Sequence, residues 1–586
     1  MPNMTFGRHL LLCCALLTSA PVLAGIDVKV RGLGSDEEGN VYAQIGLLDY
    51  ARRVDSDNAE YDPAEVQRRF KQGEQDIRNA LQPFGWYNPE IKSELRGAKP
   101  DWTAIYTVDA GPETDVTKLE ILVDGPGKDD ASILKVRDHP RIKLGERLKH
   151  QSYEDLKTRL MEAANTSGYL DAQFTRHQLR VDGGINQAEI ALTLDTGPRW
   201  YFGDITIDQD GKLSDAFLRR YLKIATGDPF DSSRVLATQF AFGDLDYFQS
   251  VEIETPKDKA GEDRHIPVVI HTKPKKPQVY RFGVGYGTDT GPRALLGVEF
   301  RRLNEQGHKL RIDLRPSQHI STAIAEYKIP TGHQPGDSYS FPVQFLRQDF
   351  QGIDEKLYSV GVAYNRQLGA WQRRYYLTYA DDHYTLQDEP PATSTLLTPG
   401  FSLSRTEVND PIYPRRGWYA FLDVHAASTE VLSDTSFIET LIQLRGVLPL
   451  AHGVRLLARV EGGAAFVHAF ATLPPSQRFF AGGDDSVRGY SYKSLGPQDA
   501  KGHVIGGRYL STGSIELNWD VFRNYGLAVF GDAGGADNVP NVHLHYGVGL
   551  GLRYRAPFGA IAVDLAHPLD PGAQVVRLHL GVRVGL

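Results

Sequence analysis

The ten residues from Tyr546 to Arg555, YGVGLGLRYR, decide the fold of the second half of this chain. Large apolar side chains alternate there with glycine or arginine, which is the two-residue period of a β-strand. A soluble β-sandwich also alternates, but its inner faces fill a core and rarely leave glycine and arginine alone on the opposite face. In a membrane barrel, the apolar face meets lipid and the small or charged face meets a wet lumen. The stretch therefore predicts one strand of a membrane barrel.

The same alternation recurs from Gln278 to Leu586. It yields sixteen predicted strands, which begin near Tyr280, Arg293, Lys309, Ile320, Ser338, Leu357, Arg373, Thr398, Trp418, Phe437, Val454, Tyr509, Leu527, Tyr546, Ile561 and Val575. Sixteen is an even number, as a single-chain bacterial barrel requires. We therefore predict a 16-stranded antiparallel transmembrane β-barrel over residues 277–586. Such barrels commonly end in an aromatic residue, and Leu586 departs from that pattern.

One connection in this barrel is much longer than the others. Between Val467 and Arg508 the alternation nearly disappears for about 40 residues, and loops of that length in compact proteins are usually functional. Counted from the first strand, residues 468–508 form the sixth external loop, which is expected to point inward. The loop contains the stretch FAGGDDSVRGY, from Phe480 to Tyr490.

Strand parity predicts which polar side chains face the lumen near this loop. Val529 is predicted to face lipid, so Asp532 on the same strand faces inward. The same argument turns Glu516 and Asp564 inward from two other strands. Arg488 reaches these carboxylates only if the loop folds down into the barrel, where an arginine fork on a carboxylate gives orientation as well as energy.

Ahead of the barrel, the chain contains three repeats. An aromatic helix exit recurs at Gly85 to Tyr87, Gly168 to Leu170 and Asp246 to Phe248. A strand that ends in a turn recurs at Tyr106 to Pro112, Leu192 to Pro198 and, more weakly, Val269 to Pro274. Both marks have a period of roughly 80 residues, which indicates an array of similar small domains.

Each repeat is predicted to read strand, helix, helix, strand, strand. In the first repeat, one helix face carries Val66, Phe70, Ile77 and Leu81. In the second repeat, Ser152 is the predicted N-cap of the helix that carries Leu156. Units of this pattern ahead of a barrel resemble the POTRA domain, with predicted boundaries 25–113, 114–198 and 199–276. The resemblance implies that an edge strand captures extended polypeptide by β-augmentation. The alternative is that the repeats serve only as rigid spacers or as docking sites for a periplasmic partner.

Residues 1–24 are predicted to be a secretory signal peptide. Arg8 precedes an apolar run from Leu10 to Leu17 that is too short to span a bilayer as a helix, and small residues around Ala24 supply a cleavage site. Both cysteines of the sequence, Cys13 and Cys14, lie inside this segment. The mature chain is therefore expected to have no disulfide and no thiol catalysis.

The composition argues against several classes of function. The net charge is -8 and no concentrated basic stripe occurs, so nucleic-acid binding has no support. No apolar run after the signal segment is long enough for a transmembrane helix, so an integral membrane protein of this sequence must be a barrel. The sequence contains no phosphate-binding loop, zinc-protease motif or nucleophile elbow. We therefore expect no enzyme, no cofactor and no metal site.

Several motifs of the barrel half, taken in order, resemble those of one protein family. The segment from Phe530 to Gly534 and the closing hairpin from Gly549 to Pro568 are similar to strand motifs of the outer-membrane assembly factor superfamily, which includes BamA and the two-partner secretion transporters. The sixth-loop motif of that family is represented here by Val487, Arg488, Gly489 and Tyr490. The resemblance implies that Arg488 pairs with Asp532 in the lumen, with Glu516 as a second acceptor.

The resemblance also implies a function. Three repeats favour the TamA branch of the family over BamA, which usually has five such domains, and over two-partner exporters, which usually have two. Members of that branch insert or translocate barrel and autotransporter clients in the bacterial outer membrane, keep their N-terminal domains in the periplasm, and work with a TamB-like periplasm-spanning partner. A role in phospholipid transport is compatible with the family. The alternatives are a two-partner secretion exporter and a passive diffusion porin.

Glycines are prominent in the first and last predicted strands, at Gly283, Gly285, Gly287, Gly581 and Gly585. Glycine weakens the packing of a strand and raises the entropic cost of ordering it. One interpretation is a weak seam that opens and templates a client strand by backbone pairing. The other interpretation is that these glycines only make room for the loop in the lumen.

Overall fold

The structure is a computed structural model of the 586-residue chain. It describes residues 25–56, 61–98, 101–210, 212–289, 291–332, 334–387, 389–451, 453–571, 576–583 and 585. The predicted signal peptide and Leu586 lie outside these ranges. Among the described residues, no helix combines the length and the apolar character needed to cross a membrane. Contacts divide the chain into two compact units: Met1–Gly203 with Thr226–Ser233 and Lys257–Ile266, and Asp204–Ala225 with Arg234–Pro256 and Pro267–Leu586.

Three small sheets with helices precede the barrel, as the sequence predicts. The first domain contains β1 Ile26–Arg31, α1 Ser35–Gln44, α2 Gly46–Ser56, α3 Pro63–Leu81, β2 Glu90–Ala98 and β3 Asp101–Asp109. The second contains β4 Asp115–Asp124, α4 Ala131–Asp138, α5 His150–Thr166, β5 Gln173–Asp182 and β6 Gln187–Asp195. The third contains β7 Tyr201–Asp208, α6 Asp215–Arg219, α7 Ser232–Gly243, β8 Phe248–Glu254 and β9 His265–Pro274. The strand orders are β1-β3-β2, β4-β6-β5 and β7-β9-β8, so the last strand of each domain lies in the middle.

Apolar alternation explains why the last strand is central. In β3, the side chains of Trp102, Ala104, Tyr106 and Val108 are buried, and the intervening side chains are more exposed. The predicted face of α3 packs on the same core, where Val66, Ile77 and Leu81 are fully buried. A strand that pairs on both sides and carries one apolar face is held more firmly than an edge strand.

The structure corrects two details of the repeats. The first domain has three helices instead of two, because the buried Ile45 is extended and separates α1 from α2. The helix α5 begins at His150 with Lys149 in the N-cap position, so the predicted N-cap at Ser152 is wrong. The amide of Ser152 already donates to the carbonyl oxygen of Lys149 at 3.1 Å, which puts the serine inside the first turn.

The second half of the chain forms one 16-stranded antiparallel sheet, which is a nearly closed barrel. Its strands are β10 Gln278–Gly287, β11 Gly291–Phe300, β12 Lys309–Arg315, β13 Ile320–Pro330, β14 Ser338–Phe350, β15 Ile353–Leu368, β16 Trp371–Leu386, β17 Ala392–Val408, β18 Gly417–Ala427, β19 Phe437–Ala451, β20 Val454–Val467, β21 Tyr509–Phe522, β22 Tyr525–Asp537, β23 His545–Ala556, β24 Gly559–Pro568 and β25 Arg577–Arg583. The predicted strand count is confirmed. The least accurate predicted start is Thr398, since β17 begins at Ala392 with small and polar residues that hide the alternation.

The two faces of the sheet differ as the strand parity predicts. On β22, Leu527 and Val529 are 45% and 55% exposed, whereas Ala528 and Phe530 are only 2% and 3% exposed. The inward face carries charged and amide side chains that are buried by other parts of the barrel. This pattern excludes two stacked sheets around a dry apolar core.

The barrel has a seam between its first and last strands. The strands follow one another in sequence order from β10 to β25, each paired with the next. Over the described residues, no ladder of backbone hydrogen bonds joins β10 to β25. Each of these two strands therefore has one edge without a strand partner within the described chain.

Candidate functional site

The long loop between β20 and β21 lies inside the barrel and contacts separate parts of its wall. On one side, Ser476 Oγ donates to Asp382 Oδ2 of β16 at 2.6 Å. Nearby, Lys493 Nζ lies 4.2 Å from the ring centroid of Phe350 on β14. Elsewhere on the wall, the Tyr490 hydroxyl donates to the carbonyl oxygen of Tyr546 on β23 at 3.2 Å. The loop is therefore anchored to strands that are far apart in the order of the sheet.

Arg488 is the centre of the loop's contacts and is 1% exposed. Its Nε donates to Asp532 Oδ2 at 2.7 Å and its second terminal nitrogen donates to Asp532 Oδ1 at 2.8 Å. The backbone amide of Arg488 also donates to Asp532 Oδ2, at 3.0 Å. The two side chains thus form the bidentate fork that fixes both position and orientation. The structure brings together the pair that the family resemblance implied.

Two further carboxylates and an aromatic ring also contact the same guanidinium. Its first terminal nitrogen donates to Glu516 Oε2 at 2.7 Å and to Asp564 Oδ2 at 3.0 Å. The aromatic ring of Phe530 lies beneath it, with Arg488 Cζ 3.3 Å from the ring centroid. Burial by itself lowers the pKa of Arg488, but the hydrogen bonds and charge of Asp532, with the charges of Glu516 and Asp564, outweigh burial and raise that pKa.

A second arginine, which the sequence did not predict as a partner of these carboxylates, completes this cluster. Arg553 on β23 is 4% exposed and donates to Glu516 Oε1 at 2.8 Å through one terminal nitrogen. Its other terminal nitrogen donates to Asp564 Oδ1. Two guanidinium groups therefore share three carboxylates, which lets each buried charge face an opposite one. The sequence signal was the alternation of arginine with apolar residues in β23.

The neighbours of Arg488 in the loop motif are also packed against the wall. Val487 is fully buried. The amide of Gly489 donates to Nε2 of His579 on β25 at 2.9 Å. Gly489 has a φ of 100°, and a side chain there would meet the backbone of Pro568, so glycine suits this position in both respects. The motif therefore packs against the part of the barrel wall formed by β21 to β25.

Asp484, in the same loop, bridges the seam of the barrel. Its carboxylate accepts a hydrogen bond from the Thr288 hydroxyl, beyond the end of β10, at 2.9 Å. The same carboxylate contacts Nδ1 of His579 on β25. The two strands that lack a common ladder are therefore both tied to one loop residue.

Asp289 adds a second carboxylate beside Asp484. Its Oδ2 accepts the backbone amide of Asp484 at 2.6 Å, and its Oδ1 is buried without a hydrogen-bond partner among the described residues. Burial, helped by the charge of Asp484, raises the pKa of Asp289 to about 6. This second carboxylate thus holds the loop backbone at the end of β10.

The side-chain groups of Asp289, Asp484 and His579 lie within 4.8 Å of one another, a spacing at which a metal ion could bind. The hydrogen bonding of the imidazole argues against His579 as a ligand. Its Nε2 accepts the Gly489 amide, so a neutral ring carries its proton on Nδ1 and donates it to Asp484. The cluster is better described as a hydrogen-bonded bridge across the seam.

We expect Asp484→Asn to loosen this bridge, because the substitution removes the charge that accepts from Thr288 and His579. The expected loss is about 1 kcal/mol, the usual contribution of a hydrogen bond. Faster amide hydrogen exchange in β10 and β25 would show it. Asp485→Asn, the same change at the exposed neighbouring residue, is the control and should leave exchange unchanged. Equal exchange in both variants would contradict the bridge.

The candidate seam glycines differ in how much space surrounds them and in what they contact. An added Cβ at Gly283 or Gly285 would meet only the neighbouring strand, at 3.5 and 3.4 Å, and one at Gly581 would meet nothing within 4 Å. These three glycines therefore do not make room for the loop. Gly287 lines a cavity beside the loop, and the amide of Gly585 donates to the carbonyl oxygen of Ile412 at 3.0 Å.

Comparison with known proteins gives three family matches. The Omp85 superfamily domain matches residues 303–582, the POTRA domain TamA domain 1 matches residues 27–110, and the surface antigen variable number repeat matches residues 200–275. The outer membrane protein assembly factor BamA of Nitratidesulfovibrio vulgaris is 23% identical over 393 residues, which cover 64% of this chain and 49% of that protein. BamA of Neorickettsia risticii is 22% identical over 397 residues, which cover 63% and 52%. The chain spans about half the length of these curated relatives.

Solved structures show the same fold. BamA from Haemophilus ducreyi lacking POTRA domains 1-3 has a TM-score of 0.61 at 17% identity, covering 80% of this chain and 99% of that chain. CdiB from Escherichia coli has a TM-score of 0.50 at 14% identity, covering 90% and 100%. At these identities the likeness concerns the fold alone.

Proposed function

We propose, on the premise that the chain belongs to the Omp85 superfamily and carries POTRA domains, that it assembles client β-barrel proteins. Its barrel lies in the outer membrane and its N-terminal domains in the periplasm. The observation that carries the proposal is the seam, where β10 and β25 have no common ladder over the described residues. An edge without a strand partner offers a row of backbone donors and acceptors to an incoming client strand.

The glycines of the seam support this use of the edge. Gly581 on β25 leaves open space where a side chain would stand, and an added Cβ at Gly283 or Gly285 on β10 would touch only the neighbouring strand β11. A strand without side chains at these positions packs weakly and separates at lower cost. Asp484 would then act as a releasable tie, because its carboxylate holds both strands through side-chain hydrogen bonds.

We also propose that the chain belongs to the TamA branch of this superfamily. The match of residues 27–110 to a TamA POTRA domain, together with three N-terminal domains, supports the TamA branch. That branch implies autotransporter clients and a TamB-like partner, and phospholipid transport stays a compatible further role. The captured polypeptide would pair with an edge strand of the small sheets, for which β5 is mostly exposed.

A passive porin is the less favoured alternative. The loop between β20 and β21 contacts both β16 and β23 inside the lumen, which obstructs free diffusion. Steady ion conductance through the purified protein in a planar bilayer would favour the porin. A two-partner exporter is distinguished by secretion of a single dedicated substrate.

A covalent lock across the seam tests the proposal. Asp289→Cys with His579→Cys places two thiols where the native side-chain atoms lie within 4.8 Å of each other. A short cleavable crosslinker would therefore join the two sides of the seam. We expect the crosslinked protein to lose client assembly, measured as folded client in vesicles, because the edges can no longer separate. Cleaving the crosslinker should restore assembly.

The matched control is a lock between strands that are already paired. Val343 on β14 lies directly opposite Val360 on β15, so Val343→Cys with Val360→Cys adds a crosslink without closing an edge. Client assembly should survive this lock. Unchanged assembly with the seam lock, or equal loss with both locks, would refute a seam that opens.

A further inference from the structure

A row of aromatic side chains crosses the outward face of the barrel on β14 to β17. The rings of Tyr339 and Tyr364 lie 5.1 Å apart, as do those of Tyr375 and Phe401. Tyr364 lies directly opposite Tyr375, which joins the two pairs into one row. Aromatic belts mark the depth of the lipid headgroups in membrane barrels.

This row lies near the periplasmic end of the barrel. β15 is the sixth strand of an antiparallel sheet, so it runs toward the end at which β10 begins. The hairpin from Leu368 to Trp371 closes β15 and β16 at that end. The neighbouring lipids therefore belong to the periplasm-facing leaflet.

Immediately beyond the row, two arginines stand side by side. Arg366 on β15 lies directly opposite Arg373 on β16, two residues beyond Tyr364 and Tyr375 on the same outward face. Like charges directly opposite each other destabilise a sheet unless an anion compensates them. Within the described chain, neither arginine has an ion pair. At the same rim, Arg405 does have a carboxylate partner, Glu407.

We propose that Arg366 and Arg373 bind the phosphate group of an anionic phospholipid in the periplasm-facing leaflet. The planar guanidinium groups offer several donors to phosphate oxygens. The acyl chains would lie along the apolar residues beyond the aromatic row, such as Val362 and Leu377, which are 41% and 40% exposed. The bound phosphate would compensate a pair of like charges that has no acidic partner among the described residues.

The test is lipid retention by the full-length protein in nanodiscs of phosphatidylcholine with phosphatidylglycerol, read by native mass spectrometry. For Arg366→Gln with Arg373→Gln we expect about 30-fold weaker retention of phosphatidylglycerol, at about 1 kcal/mol for each arginine near an anionic surface. Heat-dependent electrophoretic mobility checks that the variant barrel is folded.

The control removes the same amount of charge from an overlapping pair of strands, β14 and β15. Arg347→Gln with Lys356→Gln changes a directly opposite basic pair at the other end of β14 and β15, and it should retain the lipid normally. Equal loss in both variants, or no loss in the first, would overturn the site. Displacement of the lipid by inorganic phosphate alone would also overturn it, because it would mean a free-phosphate site without a role for the acyl chains.

Discussion

Arg488→Ala is expected to release the loop between β20 and β21 and to destabilise the barrel by about 3–5 kcal/mol, the usual cost of removing one partner from a buried ion pair. The substitution leaves Asp532 without its bidentate donor and takes one of two positive charges from the cluster. Denaturant unfolding of the purified barrel measures the loss. Protease sensitivity of the loop reports its release, and client assembly should fall with it.

Two further variants separate the contribution of the fork geometry from that of the unpaired carboxylate. Arg488→Lys keeps the charge but cannot form the fork, so it should recover only part of the stability. Adding Asp532→Asn to Arg488→Ala removes the carboxylate charge that would otherwise lack its partner. The double variant should therefore lose less stability than the sum of the two single changes. Lys501→Ala, at an exposed part of the same loop, is the control. Normal assembly at normal barrel levels in Arg488→Ala would exclude a working role for the loop.

Gly547→Ala is expected to push the same loop away from the wall. A methyl group at this position would lie 2.1 Å from the carbonyl oxygen of Arg488, a contact that the loop backbone can relieve only by shifting. Gly547 lies directly opposite Asp532, so the displacement would also strain the arginine fork. We expect a loss of about 1–3 kcal/mol, typical of overpacking in a well-packed interior.

Gly531→Ala provides the matched control. Gly531 lies on the adjoining strand β22, and an added Cβ there meets nothing within 4 Å. Its stability in denaturant unfolding should equal that of the parent protein. If Gly547→Ala unfolds at the same denaturant concentration as Gly531→Ala, the loop backbone is free to shift and the close contact imposes no constraint.

Much of the barrel was predictable because its signal is local. Side chains alternate between two faces every second residue, so Leu527 and Asp532 reveal their faces from sequence alone. The count of sixteen strands followed from the same period. The wrong predictions were local as well. Small and polar residues hid the start of β17. Ser152 was predicted as the N-cap of α5, but its amide is already bonded within the first turn of that helix.

The sequence by itself determined the strand period, the strand count and the inward faces, and family resemblance added the pairing of Arg488 with Asp532. Only the tertiary structure decided that Arg553 shares the carboxylates, that Asp484 ties both seam strands, and that β10 and β25 lack a ladder over the described residues. The physical reason is that the first group of features depends on neighbouring residues, whereas the second depends on residues far apart in the chain. Alternation depends on the geometry of one strand, whereas contacts across a lumen depend on how sixteen strands curve and where a long loop descends between them.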